Sequence, residues 1–254
     1  MIRTAIALLA LVLATACGQD ANVATSSAEV AAPPAQSQPA PRSTAPAQAQ
    51  PSRETRVAQA STPAPSDARF VEGQHYRVLR PAQPTNVPPG KVEVVDVFWY
   101  GCGGCYMLSP YLEAWRKNKP DVAAYVRMPA PLNPAWQPQA RLYFATKALG
   151  IEDQTHAAIF NEYHVERNPL NTIDLMVEFL GRYDIPEDQA REALTSFSVD
   201  SELRAAQVRA GRYKLTFVPA VVVNGKYVVS ADQAGGPAAV PEVINYLVAR
   251  EAGR

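Results

Sequence analysis

The sequence predicts an α/β fold in which a block of helices interrupts the strands. Three stretches carry that prediction. Residues 92–99 are nearly all apolar, as in a strand buried on both faces, and they run into Gly101-Cys102-Gly103-Gly104-Cys105. Residues 138–213 show apolar side chains recurring at helical spacing over five successive segments. Residues 220–223 and 226–229 then flank Asn224-Gly225, the strongest short hairpin signal.

Composition narrows the function classes. The chain has 254 residues, enough for one substantial domain with additional segments. Lys+Arg and Asp+Glu balance at 24 each and no basic run stands out, which argues against nucleic acid as a partner. Of the three cysteines, Cys17 falls in a targeting segment, so Cys102 and Cys105 remain as a single pair.

In chain order, residues 1–17 read as an export signal, with Arg3 as the positive start and residues 5–13 as a short apolar core. Ala14-Thr15-Ala16 has the small-x-small form that precedes cleavage. Leu13-Ala14-Thr15-Ala16-Cys17 also resembles a bacterial lipobox, with Leu13 one place from its usual position. Lipidation of Cys17 is the expectation, and simple secretion with a free cysteine is the alternative. Both place the chain beyond the inner membrane, where disulfides persist. Residues 18–69 are rich in Ala, Pro, Ser, Thr and Gln and too poor in large apolar groups to offset their ordering entropy. They are expected to form a disordered tether with a reach of roughly 40 Å.

The folded domain is expected over residues 70–254. Residues 74–79 alternate like an edge strand, and residues 81–90 form a proline-rich loop closed by Gly90. A helix follows the cysteines and meets Pro110, which kinks it. Residues 121–128 form the next strand. The helices that follow are expected over 138–149, 153–163, 172–183, 186–197 and 198–213, with Thr172 and Asp184 as starts and Gly150 and Gly181 as stops. Residues 241–250 close the chain as a helix. Met107, Trp115 and Trp136 read as core, and His156 and His164 as surface residues without a role.

Cys102 is placed by this reading at a helix N-terminus, with Cys105 one turn on. The two Cα atoms are then roughly 5 Å apart, within disulfide range. Unpaired backbone N–H groups and the positive dipole end favour a thiolate there, and a thiolate is the attacking species in disulfide exchange. An inert disulfide and half a zinc site are the competing readings. There is no second Cys-x-x-Cys and none of the three histidines has ligand spacing, so no metal is expected.

Phe98-Trp99-Tyr100-Gly101-Cys102-Gly103-Gly104-Cys105 after an apolar strand resembles the active site of the thioredoxin superfamily. The helical block before the hairpin resembles its periplasmic DsbA-type branch of thiol:disulfide oxidoreductases. The resemblance covers about residues 73–250 and implies a thioredoxin fold with an inserted helical subdomain at about 135–197. It implies that Cys102 is the exposed nucleophile and Cys105 the partly buried resolving thiol. It also implies that Asp96, six residues before Cys102, is a buried acid able to exchange a proton with Cys105. Val218-Pro219 stands where the superfamily has a cis proline beside the cysteines, with Val218 free to pair with an extended substrate peptide. Tyr100 flanks the site and Phe217 lines the peptide groove.

The Gly103-Gly104 dipeptide departs from the Pro-His usual in the family. It predicts a less depressed Cys102 pKa and a less oxidising pair than in the strongest members. The expected function is disulfide formation in exported cysteine-containing proteins, with a DsbB-type membrane oxidase as redox partner. No dissociable cofactor is expected beyond the cysteine pair, and a monomer is expected because no dimerisation domain is visible. A reductase or isomerase of the same fold is the first alternative, and a tethered metal- or client-binding module is the second.

Overall fold

The computed structural model describes residues 69–253. The export signal, Cys17 and nearly all of the expected tether lie outside them.

The element built first from the sequence is also the centre of the sheet. All seven residues of β2 (Val92–Phe98) are buried, which is why it reads as a nearly continuous apolar run, broken only by Glu93 and Asp96. It pairs in parallel with β3 (Ala123–Pro129), from Val92↔Ala123 to Phe98↔Pro129. On its other side it runs antiparallel to β4 (Ala220–Val223). β5 (Tyr227–Val229) pairs with β4, and the edge strand β1 (Arg77–Val78) pairs with β5. The described sheet therefore has the order β1-β5-β4-β2-β3. The β4–β5 turn, closed by the Lys226 N–H on the Val223 carbonyl at 3.0 Å, uses Asn224 at φ 52° and Gly225 at φ 61°, the left-handed positions that favour Asn-Gly. Gly225 is fixed twice over, because a Cβ there would lie 2.0 Å from the Gln83 carbonyl oxygen.

Helices cover both faces. Helix α1 (Gly103–Asn118) and the last helix, α8 (Val240–Ala252), share a core with Val92 and Val94 through Leu108, Leu112, Ile244 and Leu247. Opposite them lie α2 (Gln137–Ala148), α3 (Glu152–His164), α4 (Ile173–Gly181), α5 (Glu187–Thr195) and α6 (Phe197–Arg212), packed with Val95 and Val97. A short α7 (Ala231–Ala234) links β5 to α8. We propose that α2–α5 form the inserted subdomain and that α6 belongs with the sheet. Glu93, fully buried on β2, is held by an ion pair to Arg209 of α6.

Some local expectations are corrected. Thr172 does cap α4, accepting from the Leu175 N–H at 3.3 Å, and Gly150 ends α2 at φ 74°. Asp184, expected to start α5, sits at φ 60° and donates its N–H to Gly181, finishing the turn after α4; Pro186 is the N-cap of α5 instead. Trp115 is core, but Met107 is 61% exposed on α1 beside the cysteines.

Candidate active site

The site forms where the central strand gives way to α1. A turn closes from the Cys102 N–H to the Trp99 carbonyl at 3.0 Å, and Cys102 becomes the N-cap of α1. Its Sγ accepts the Cys105 backbone N–H at 3.2 Å, satisfying one of the donors that every helix start leaves unpaired. Both cysteines are free thiols in this structure, Cys102 half-buried and Cys105 buried.

The two sulfurs are electrostatically unlike. A hydrogen bond from the Cys105 thiol, helped by the Cys105 and Gly104 N–H groups and opposed by partial burial, lowers the Cys102 pKa to about 6. Burial first, then the bond to Cys102 and the negative charges of Cys102 and Asp96, push the Cys105 thiol far above the ordinary range. At neutral pH one sulfur is a thiolate and its partner holds its proton.

The Val218–Pro219 peptide bond is cis, and Cys102 Sγ lies 3.5 Å from the Val218 carbonyl oxygen, to which it can donate only when protonated. A Cβ on Gly104 would lie 3.1 Å from Pro219 Cδ, so the dipeptide's second residue packs directly on that proline. Phe217, next to it, is 44% exposed. The structure thus gathers Cys102, Cys105, Val218, Pro219 and Gly104 at one point, with Tyr100 buried behind the turn.

Asp96 faces the α1/α8 side of the sheet by its alternation with Val92 and Val94. It is buried and accepts the Tyr125 hydroxyl at 2.9 Å. Burial raises its pKa to about 7, against the lowering effects of Tyr125 and of Arg127 on the neighbouring strand. Arg127 is itself caged by Glu113, Glu152 and Asp153.

Both histidines expected at the surface are instead part of the site's support. His156 is buried, with Nδ1 2.9 Å from the Tyr100 hydroxyl, and burial lowers its pKa to about 3. His164 places Nε2 2.8 Å from the Tyr100 carbonyl oxygen and stacks on Tyr106. Their spacing, 156-160-164 with Phe160 between, is one face of a helix and is the sequence signal that identifies them. Trp136, read as core, is only partly buried and stacks on Trp99 at 4.5 Å, and the Trp99 indole donates to Gln139. Arg127 and Tyr125 were also missed, although a lone arginine in an apolar strand is a signal. Among the described residues no group of three or more His, Cys, Asp or Glu side chains is gathered as a metal ion would need.

A family profile described as DSBA-like thioredoxin domain matches residues 129–235. The thiol:disulfide interchange protein DsbA of Azotobacter vinelandii is 37% identical over 196 residues, which span 76% of this chain and 89% of that relative. The protein of the same name from Pseudomonas aeruginosa is 32% identical over 182 residues, 72% of this chain and 86% of its own. The crystal structure of Pseudomonas aeruginosa DsbA superposes with a TM-score of 0.70 at 31% identity, covering 74% of this chain and 97% of that one. With that fold and a Cys-x-x-Cys pair at its first helix, this chain is a thiol:disulfide oxidoreductase and belongs to the DsbA family of thiol:disulfide interchange proteins.

Proposed function

We propose that Cys102 and Cys105 donate a disulfide to cysteine-containing proteins exported to the periplasm. The observation that supports this reading is the unequal pair: a stabilised Cys102 thiolate beside a buried, protonated Cys105. A stable Cys102 thiolate is a good leaving group when the mixed disulfide is resolved by the client, and it stabilises the reduced pair, so donation of the disulfide runs downhill. The client thiolate attacks Cys102 Sγ and forms a mixed disulfide, while the Cys102–Cys105 bond breaks and its electron pair goes to Cys105, which takes a proton. A second client thiolate then attacks the client sulfur of the mixed disulfide, and Cys102 leaves as a thiolate. The client has lost two electrons and two thiol protons, and the pair has gained two electrons.

In this reading Asp96 is the proton partner of Cys105. Val218, with its carbonyl beside Cys102, is the residue to which the client backbone pairs, and the exposed Phe217 flanks it, whereas Tyr100, expected to flank the site, is buried and supports the turn from behind. The electrons accepted by the cysteines pass on to a DsbB-type membrane oxidase, and no separate cofactor is required. The chain acts as a monomer held by a lipid on Cys17. Mass determination of the exported N-terminus should find a diacylglyceryl-modified Cys17; an unmodified Cys17 would leave the simple-secretion alternative.

The test of the activity is oxidative refolding of a reduced, unfolded client with the oxidised protein as the only oxidant. The expected result is client disulfide formed mole for mole with reduction of the Cys102–Cys105 pair. A pair that stays oxidised while the client stays reduced would overturn the reading. Efficient catalysis starting from the reduced protein and a client with wrongly paired disulfides would favour the isomerase alternative.

A further inference from the structure

The cysteine turn has little means of holding itself. Gly101, Gly103 and Gly104 surround Cys102, and a Cβ at Gly103 would touch nothing within 4 Å. Glycine carries the largest conformational freedom of any residue, so such a turn keeps one geometry only if something else fixes it. The stability of the Cys102 thiolate depends on that geometry, because its donors are the Cys105 thiol and two backbone N–H groups of the same turn.

Helix α3 reaches both flanks of the turn from one face. Upstream, Tyr100 is the second residue of the turn closed by the Cys102 N–H and the Trp99 carbonyl. The Tyr100 carbonyl is met by His164 Nε2 at 2.8 Å. Downstream, Tyr106 donates its N–H to the Cys102 carbonyl at 3.0 Å and its hydroxyl to Asn161 at 3.2 Å. The His164 ring stacks on the Tyr106 ring at 4.7 Å with an interplanar angle of 14°. A carbonyl oxygen only accepts, so His164 Nε2 carries the proton and donates. One side chain therefore grips the residue two before Cys102 by a hydrogen bond and the residue after Cys105 by stacking.

We propose that His164 is a positioning residue for the thiol:disulfide reaction: its Nε2–H bond to the Tyr100 carbonyl holds the glycine-rich turn in the geometry that stabilises the Cys102 thiolate. It acts through Tyr100 and Tyr106 and does not itself touch the reacting sulfurs.

The experiment compares His164→Leu, which removes the donor, with His164→Gln, which offers an amide donor in its place. Thiolate absorbance of the full chain in its reduced form is followed against pH. In His164→Leu the Cys102 midpoint should rise by about half a unit to one unit, the scale set by one lost hydrogen bond. Thiol exchange at pH 5.5 should fall about threefold to eightfold with the thiolate fraction. In His164→Gln both should stay near those of the unsubstituted protein. A merely structural role would lower the melting temperature of the Leu variant and leave the Cys102 midpoint unmoved, which would overturn the proposal. Equal midpoint shifts in both variants would also overturn it, since the donor would then not matter. Should the Leu variant not fold, the imidazole resonances of the unsubstituted protein decide: a slowly exchanging Nε2–H on His164 supports the proposal, and an Nδ1–H tautomer overturns it.

Discussion

Replacing Cys102 by Ser should abolish disulfide exchange, with a loss of at least about 10³-fold, whereas replacing Cys105 by Ser should leave Cys102 able to attack a disulfide and form a mixed disulfide that Cys105 can no longer resolve. With a pKa lowered to about 6, Cys102 is about 90% thiolate at pH 7, against a few per cent for an unperturbed cysteine. Cys105 is buried, its proton is held by desolvation and by the neighbouring negative charges, and it offers almost no thiolate to compete. In Cys105→Ser the Ser hydroxyl can still donate to Cys102, so the Cys102 thiolate survives. It should attack glutathione disulfide and stop as a mixed disulfide, which intact-mass measurement reads as a single persistent adduct. Cys102→Ser should give no adduct on the same timescale. Comparable adduct formation by both variants would contradict the assignment of roles.

The second large effect is at Asp96. A carboxyl with a pKa of 3.8 when unfolded and about 7 when folded is ionised more readily in the unfolded chain. Between those values the folded state binds more protons, so stability falls as pH rises from about 4 to about 7 and levels off above. The shift corresponds to about 4 kcal/mol at most, and packing relaxation will return less. Asp96→Asn removes this penalty and keeps an acceptor for the Tyr125 hydroxyl, at the cost of an amide N–H₂ that needs partners of its own. The informative quantity is therefore the stability gain at pH 8 minus that at pH 4, in which the cost of the amide cancels. Urea unfolding of the reduced proteins should give a difference of about 2 kcal/mol or more, with the gain at the higher pH. In the proposed mechanism the same variant removes the proton partner of Cys105, so resolution of a mixed disulfide by Cys105 should slow roughly tenfold or more. A pH-independent effect on stability would mean that Asp96 ionises normally.

Local signals made most of the architecture legible in the sequence. A nearly continuous apolar run marks a strand buried on both faces, and β2 is that strand. Asn224-Gly225 supplies two positive φ angles, and the hairpin follows. The cysteine pair sits at a helix start because a strand meets a glycine-rich turn there, and Cys102 itself caps the helix. What escaped detection depends on contacts across long stretches of chain. His156 and His164 meet Tyr100 from 56 and 64 residues away, and nothing local distinguishes them from solvated helix residues except their shared face. Asp184 has the chemistry of a helix start, but the chain reaches it in a left-handed conformation that serves the preceding turn. Met107 has core chemistry, yet it is exposed on α1 where the helix borders the cysteine site.

The departure of Gly103-Gly104 from the usual family dipeptide bears on how strongly the pair oxidises. A Cys102 pKa of about 6 falls between the known values of roughly 7 for thioredoxin and roughly 3.5 for the archetypal DsbA. Known reduction potentials for those two proteins are roughly −270 and −120 mV. Structural disulfides in secreted proteins lie below roughly −300 mV, so a pair of intermediate potential still passes its disulfide to them downhill.

Equilibration of the domain with glutathione buffers, read as the fraction of Cys102–Cys105 oxidised, tests the donor assignment most directly. The expected potential lies between about −120 and about −240 mV, as for a pair whose reduced form is stabilised by the Cys102 thiolate. A potential of about −270 mV or more negative would leave the pair little driving force to donate its disulfide, as in thioredoxin, and would make the protein a reductase.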